Sequence, residues 1–144
     1  MEIFFTVPGE PVPQGRPKFT TKPFMRAYDP PKSSAYKKLI ASHASKVKPS
    51  KPLEGDLYVK VDVYKGSLKS FSKKKVDLAE EKLLRPRTKP DADNYAKGPL
   101  DACKGIIWKD DGQVVDLSVS KYYSKEPRIE ISICEISAVQ ETLF

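Results

Sequence analysis

Strict alternation of apolar and polar residues from Asp56 to Tyr64 is the feature that most limits how this chain can fold. On an extended backbone, successive residues point to opposite sides, so this segment has one apolar side and one polar side. The apolar members are Leu57, Val59, Val61 and Val63. Similar alternation occurs in residues 2–7, 115–120 and 129–133. The sequence therefore predicts four strands that form a sheet with one covered face.

Two longer segments have the spacing of helices that pack on such a sheet. The first follows Asp29, whose carboxylate can cap free amides, and Pro30 and Pro31, which suit a first helical turn. Its apolar stripe consists of Tyr36, Leu39, Ile40, His43 and Val47. The stripe of the second consists of Ala96, Leu100, Cys103 and Ile107. A weaker helical pattern runs through Val76, Ala79 and Leu83.

These elements predict an α+β fold in a single domain over residues 1–144, with two main helices packed on a mixed, mostly antiparallel four-stranded sheet. Hydrophobic residues make up 39% of the chain, and no apolar run approaches the roughly 20 residues that cross a bilayer. We therefore expect a soluble, cytoplasmic protein without a membrane partner. Cys103 and Cys134 lack the spacing of a zinc site, and we expect two buried thiols.

Charge is distributed unevenly along the chain. Residues 1–90 contain 20 Lys/Arg and 9 Asp/Glu, whereas residues 91–144 contain 6 and 10. We expect residues 8–28 and 65–90 to form mobile basic loops, because the first is rich in proline and both are rich in basic residues. Basic groups among aromatic residues suit nucleic acid, although a solvated lysine-rich surface is the alternative interpretation. The candidate DNA-binding residues are Arg16, Lys18, Lys22, Arg26, Lys73, Lys74, Lys75, Arg85, Arg87 and Lys89.

Residues 89–113 combine four carboxylates with a lysine: Asp91, Asp93, Asp110, Asp111 and Lys97. Carboxylates repel phosphate, so such a group beside basic loops is unfavourable unless a cation lies between them. Carboxylate oxygens suit Mg²⁺, with Mn²⁺ as a substitute. Such an ion polarises a phosphoryl oxygen and lowers the pKa of bound water, which predicts phosphodiester hydrolysis. Lys97, one helical turn beyond Asp93, would stabilise the transition state or orient the attacking water.

Each part of this stretch also has a structural interpretation. Asp91 and Asp93 are suited to the start of a helix, and residues 110–112 are typical of a turn. Lys97 could be a solvated helix lysine paired with Asp93. A non-catalytic basic DNA-binding protein is therefore the second interpretation of the chain, and a phosphate-transfer enzyme for small substrates is the third.

Three short motifs in this part of the chain resemble, in their order and spacing, those of a known protein family. They are D-A-D-N-Y-A-K from Asp91 to Lys97, L-D-A from Leu100 to Ala102, and W-K-D-D-G-Q-V-V-D from Trp108 to Asp116. Together they resemble the RusA family of Holliday-junction resolvases, endonucleases of DNA recombination and repair that are typical of phages and prophages. The resemblance implies that Asp91, Asp93 and Asp111 are catalytic Mg²⁺ ligands, that Lys97 is the catalytic lysine and that Asp110 is a further candidate ligand. It also implies a homodimer that nicks four-way DNA junctions symmetrically, since two sites need two subunits.

The same stretch contains Gly98 and Pro99 where an uninterrupted helix would be expected. A helix that begins near Asn94 would hold Pro99 in its interior, where proline removes a hydrogen bond. Alternatively, the regular helix begins only near Pro99. The direction of the Lys97 side chain depends on which of the two is correct.

Overall fold

The computed structural model describes residues 2–14, 18–21, 26–28 and 30–136, and its elements below are those of the described residues. The main sheet contains β1 (Glu2–Pro8), β4 (Leu57–Gly66), β5 (Val114–Ser124) and β6 (Arg128–Glu135). A second, two-stranded sheet pairs β2 (Lys18–Thr20) with β3 (Arg26–Tyr28). The helices are α1 (Pro31–Ser45), α2 (Lys73–Glu80) and α3 (Asp93–Cys103), and a short 3₁₀ turn occupies Asp111–Gln113.

The main sheet has the spatial order β1-β6-β4-β5. β6 pairs antiparallel with both β1 and β4, whereas β4 and β5 are parallel. A parallel pair needs a long crossover, and here the crossover contains α2, α3 and the 3₁₀ turn. The predicted α+β fold with a mixed, mostly antiparallel four-stranded sheet is confirmed.

One face of the main sheet forms the hydrophobic core together with α1 and α3. In β4 the predicted alternation is confirmed, because Leu57, Val59, Val61 and Val63 are all buried. In β5 it is wrong at two positions: Val115 and Leu117 are 59% and 42% exposed. β5 is an edge strand with a partner on one side only, so its apolar side chains are less completely covered.

α1 packs through part of the predicted stripe: Tyr36 and Ile40 are buried as predicted, and His43 is half-buried. Its buried residues are Ser33, Tyr36, Ile40 and Ala44, whereas Leu39 and Val47 are exposed. The contact follows the i, i+4 row of the helix, which is narrower than the predicted stripe. Asp29, the predicted cap, lies outside the described residues, and the N-cap of the described helix is Pro30.

The two segments predicted as basic loops contain regular structure. β2 and β3 lie within residues 8–28, so the prediction that this stretch lacks regular structure is wrong for those strands. In residues 65–90 the weak helical pattern is confirmed as α2, whose N-cap is Ser72, with the Ser72 hydroxyl accepting the Lys75 N–H. Leu83 lies beyond α2 and is 71% exposed. Among the described helices, none has the length and apolar character that a membrane span requires.

Candidate active site

α3 carries two of the predicted site residues, Asp93 and Lys97, in the first part of a well-anchored helix. Its buried face includes Ala96 and Cys103, as the apolar spacing predicted, and also Tyr95, while Asp93 and Lys97 are exposed. The helix runs from Asp93 to Cys103 with Pro99 inside it, so the sequence alternative in which the helix starts at Pro99 is wrong. Lys97 therefore lies one turn after Asp93 on the solvent side.

Asp91 precedes α3 and is also exposed. Its backbone carbonyl accepts the N–H of Asn94 at 3.1 Å, which closes the first turn. The N-cap residue is Ala92, which makes no side-chain capping bond. The carboxylate of Asp91 lies 3.3 Å from the Lys89 ammonium, with the two side chains 59% and 84% exposed. An ion pair this exposed contributes little to stability, so it leaves the carboxylate available for other partners.

The segment that leads to Asp91, residues 85–90, lies against β5 and is here called the strap. The Lys121 ammonium donates to the carbonyls of Thr88 and Pro90, at 3.1 and 3.0 Å. In return, Nε of Arg85 donates to the carbonyl of Lys121 at 2.9 Å, and the Arg85 guanidinium lies 4.3 Å from the ring centre of Tyr122. The strap is thus anchored to β5 at both of its ends.

The remaining carboxylates lie beyond the other end of α3, just before β5. The Trp108 indole N–H donates to Oδ1 of Asp111 at 2.9 Å. Oε1 of Gln113 accepts the backbone N–H groups of Lys109 and Asp110, and its amide group donates to the carbonyls of Leu53 and Gly55. Asp110 is 71% exposed, with one oxygen 3.9 Å from the Lys104 ammonium. This loop is therefore held to the segment just before β4 by side-chain hydrogen bonds, together with backbone hydrogen bonds to Leu53.

Cys103, at the last turn of α3, is buried, whereas Cys134 is only half-buried. The expectation of two buried thiols is therefore confirmed for Cys103 alone. Burial raises the pKa of the Cys103 thiol to about 12, and the negative charge of Asp111 adds to the effect. A thiol that stays protonated at neutral pH is not a nucleophile, which leaves Cys103 as a packing residue.

The structure does not bring the three predicted ligands together within one chain. Among the described residues, no three His, Cys, Asp or Glu side chains are grouped closely enough to hold a metal ion. Asp91 and Asp93 flank the start of α3, and Asp111 begins the 3₁₀ turn. The chemistry of this donor set fits Mg²⁺, which takes oxygen ligands and commonly binds through one or two carboxylates plus water and substrate phosphate. The assignment of these residues as ligands stays a prediction.

Comparison with known proteins decides the family. The family profile described as Endodeoxyribonuclease RusA matches residues 8–134, which include the strap, α3, the 3₁₀ turn and the whole of β4 and β5. The chain belongs to the RusA family. A Bacillus subtilis (strain 168) protein named "Uncharacterized protein YqaN" is 52% identical over 141 residues, which cover 94% of this chain and 98% of that protein. RusA proteins are endodeoxyribonucleases that act on branched DNA junctions.

The structure of this RusA protein describes some of the basic residues predicted to bind DNA in full, and others only in part or not at all. Lys73, Lys74 and Lys75 lie exposed on the first turn of α2, and Arg87 is exposed on the strap. Arg85 and Lys89 are also exposed, but each already contacts a neighbour, the first β5 and the second Asp91. Arg16 and Lys22 lie outside the described residues, and only the backbones of Lys18 and Arg26 are described.

Sequence reasoning missed three residues that hydrogen-bond to the segments of the candidate site: Trp108, Gln113 and Lys121. Trp108 and Gln113 lie within the W-K-D-D-G-Q motif, so their position beside Asp111 was a usable signal. Lys121 gives no such signal. It looks like an ordinary strand lysine, and its partners Thr88 and Pro90 are 33 and 31 residues away in the chain.

Proposed function

We propose that this RusA protein is a Mg²⁺-dependent endonuclease that resolves Holliday junctions by paired, symmetric nicks. The observation that carries the proposal is the exposed group of Asp91, Asp93 and Lys97 at the start of α3, in a chain of an endodeoxyribonuclease family. Two carboxylates and an ammonium at one helix end match what phosphodiester hydrolysis needs, namely hard oxygen ligands and a positive charge near phosphate.

The proposed roles of the residues follow from their positions. Asp91 and Asp93 are the ligands at the α3 end, and Asp111 is the ligand that the family motif adds. Mg²⁺ bound there would polarise a phosphoryl oxygen and lower the pKa of water, and Mn²⁺ would substitute for it. Lys97 has its ammonium on the solvent side of α3, where it can contact a phosphate oxygen. The buried face of α3 holds these groups in fixed relation to the sheet.

Charge supports DNA as the substrate. The lysines at the start of α2 and Arg87 on the strap form an exposed basic surface on the segment that leads to Asp91. Such groups neutralise phosphates, and DNA that binds to them gains affinity through counterion release. A four-way junction has two strands of like polarity to cut, so we propose a twofold homodimer with one site in each subunit.

The test compares cleavage of a synthetic four-way junction, a duplex and a single strand, each with and without Mg²⁺. We expect Mg²⁺-dependent cleavage of the junction in preference to the other two substrates. Asp91→Asn should lower the cleavage rate by roughly 10²-fold or more. Junction binding should be kept or strengthened, because a negative charge near phosphate is removed.

The proposed homodimer is tested separately. Light scattering of the free protein and of its junction complex measures whether the chain is a dimer.

The control variant is Asp77→Asn, which removes the same charge from an exposed position on α2. It should cleave at the wild-type rate, since Asp77 is on α2 and is not one of the proposed ligands. Wild-type protein that binds junction DNA without cleaving it in Mg²⁺ or Mn²⁺ would favour the non-catalytic DNA-binding alternative. Equal loss of binding and cleavage in Asp91→Asn would mean that Asp91 has a structural role only.

A further inference from the structure

A single residue of β5, Lys121, hydrogen-bonds to the two backbone carbonyls on either side of Lys89, those of Thr88 and Pro90. Its ammonium donates to Thr88 and Pro90, and its own carbonyl accepts from Arg85, so side chain and backbone of the same residue hold the strap. The next residue after Pro90 is Asp91. The backbone position from which the Asp91 carboxylate projects is therefore set by a lysine on another element.

Besides Lys121, the strap is held by burial of Pro86, partial burial of Pro90 and the contact of Arg85 with Tyr122, but its backbone can form few hydrogen bonds of its own. Pro86 and Pro90 have no N–H to donate, and prolines therefore supply fewer backbone hydrogen bonds to neighbouring elements. Arg87, Thr88 and Lys89 are exposed. Lys121 itself is half-buried, and its hydrogen bond to Pro90 is partly shielded from water. A charged donor to carbonyls in such surroundings gives a stronger bond than a neutral one.

We propose that Lys121 is a positioning residue for DNA cleavage: by holding the carbonyls of Thr88 and Pro90, it fixes Asp91 where the reaction needs it. This inference rests on the proposed function, since it assigns Asp91 to the site. Lys121 does not touch the reacting atoms and acts through the strap. Misplacement of a reacting group by about 1 Å can cost roughly 10²-fold in rate, which sets the scale of the expected effect.

The charge of Lys121 has a competing explanation, because any lysine near DNA adds to affinity. Lys125 provides the matched control: it is exposed, it lies one residue beyond β5, and it is not among the candidate DNA-binding residues. Lys121→Met removes the donor and keeps an unbranched apolar side chain, and Lys125→Met makes the same change in charge. Lys121→Arg keeps donors and charge and serves as the conservative rescue.

The first readout separates binding from catalysis. Junction affinity is measured with Ca²⁺ in place of Mg²⁺, and the single-turnover rate is measured with saturating enzyme in Mg²⁺. We expect Lys121→Met to lower the single-turnover rate by about 10-fold to 10²-fold with little change in affinity. Lys125→Met should keep the wild-type rate, and Lys121→Arg should recover most of it. A wild-type rate in Lys121→Met, or a loss of affinity that matches the loss of rate, would overturn the proposal.

The second readout does not depend on nuclease activity. Trypsin does not cut before proline, so Arg85–Pro86 and Lys89–Pro90 are resistant and Arg87–Thr88 is the cleavable bond of the strap. We expect Lys121→Met to be cut after Arg87 faster than the wild type and Lys125→Met, at an unchanged thermal midpoint. Unchanged cutting would overturn the anchoring role, even if the wild type proved inactive on junctions. Should Lys121→Met not fold, Lys121→Gln replaces it with the same expectations, because its amide is shorter and uncharged and so binds the two carbonyls more weakly.

Discussion

The indole N–H of Trp108 donates a hydrogen bond of 2.9 Å to Oδ1 of Asp111. Trp108 is fully buried and Asp111 is half-buried, so a donor fixed by the core holds a carboxylate that still reaches solvent. Hydrogen bonds to ionised acceptors are stronger than neutral ones. The bond therefore orients one oxygen of the carboxylate and leaves the other for a ligand.

Trp108→Phe removes this donor and part of the ring volume. We expect the free energy of unfolding to fall by about 2–4 kcal/mol, from the lost bond and the cavity together. The junction-cleavage rate should fall while junction affinity stays close to that of the wild type, because Asp111 is then free to turn. Urea unfolding and single-turnover cleavage measure the two effects. Ile131→Val, which opens a cavity elsewhere in the core, should lower stability without changing the rate; equal rate loss in both variants would refute the orienting role.

Trp108 is also the only tryptophan in the sequence, so its fluorescence reports on Asp111 without interference. A paramagnetic Mn²⁺ ion bound to Asp111 would lie close to the indole and quench its emission. We expect saturable quenching by Mn²⁺ that excess Mg²⁺ reverses. In Asp111→Asn, which removes the charge of the ligand, quenching should need a much higher Mn²⁺ concentration. The same titration curve in the wild type and Asp111→Asn would show that Asp111 holds no ion in the free protein.

The two cysteines should differ in reactivity and in their effect on stability at high pH. Cys134 is half-buried, whereas burial raises the pKa of Cys103 to about 12 from an ordinary value of 9.0. A thiol reagent at pH 8 should therefore label Cys134 and spare Cys103 until urea is added.

The Cys103 thiol should also make stability depend on pH. Above pH 9 this thiol loses its proton in the unfolded chain but keeps it in the folded chain, so the free energy of unfolding falls as pH rises from 9 toward 12. Urea unfolding at pH 8 and pH 10 should show a smaller decline in Cys103→Ala than in the wild type.

The sequence predicted features that depend on local periodicity, and it missed features that depend on contacts between distant elements. Alternation in β4 and the apolar spacing of α3 both determine which side is buried, and both predictions are confirmed. Leu117 was assigned to a covered face because alternation cannot reveal that β5 is an edge strand. The role of Lys121 could not be predicted, since it exists only once the crossover folds the strap back onto β5.

Two glycines near the site should respond in opposite ways to alanine. Gly98 lies inside α3, and a Cβ added there would meet only Oε1 of Gln14 at 4.0 Å, which is ordinary contact. Gly98→Ala should therefore raise the free energy of unfolding by about 0.5–1 kcal/mol, because alanine loses less backbone entropy in a helix.

Gly105 has open space around it but a φ of +81°, a conformation that L side chains rarely adopt. Gly105→Ala should therefore lower the free energy of unfolding by roughly 1–2 kcal/mol. Urea unfolding of both variants at one pH provides the comparison. If Gly98→Ala is destabilising, α3 does not tolerate a methyl group beside Lys97, and its buried face is tighter than the structure indicates. A neutral Gly105→Ala would instead mean that the turn after α3 can change its backbone conformation, and with it the path of the chain toward Trp108 and Asp111.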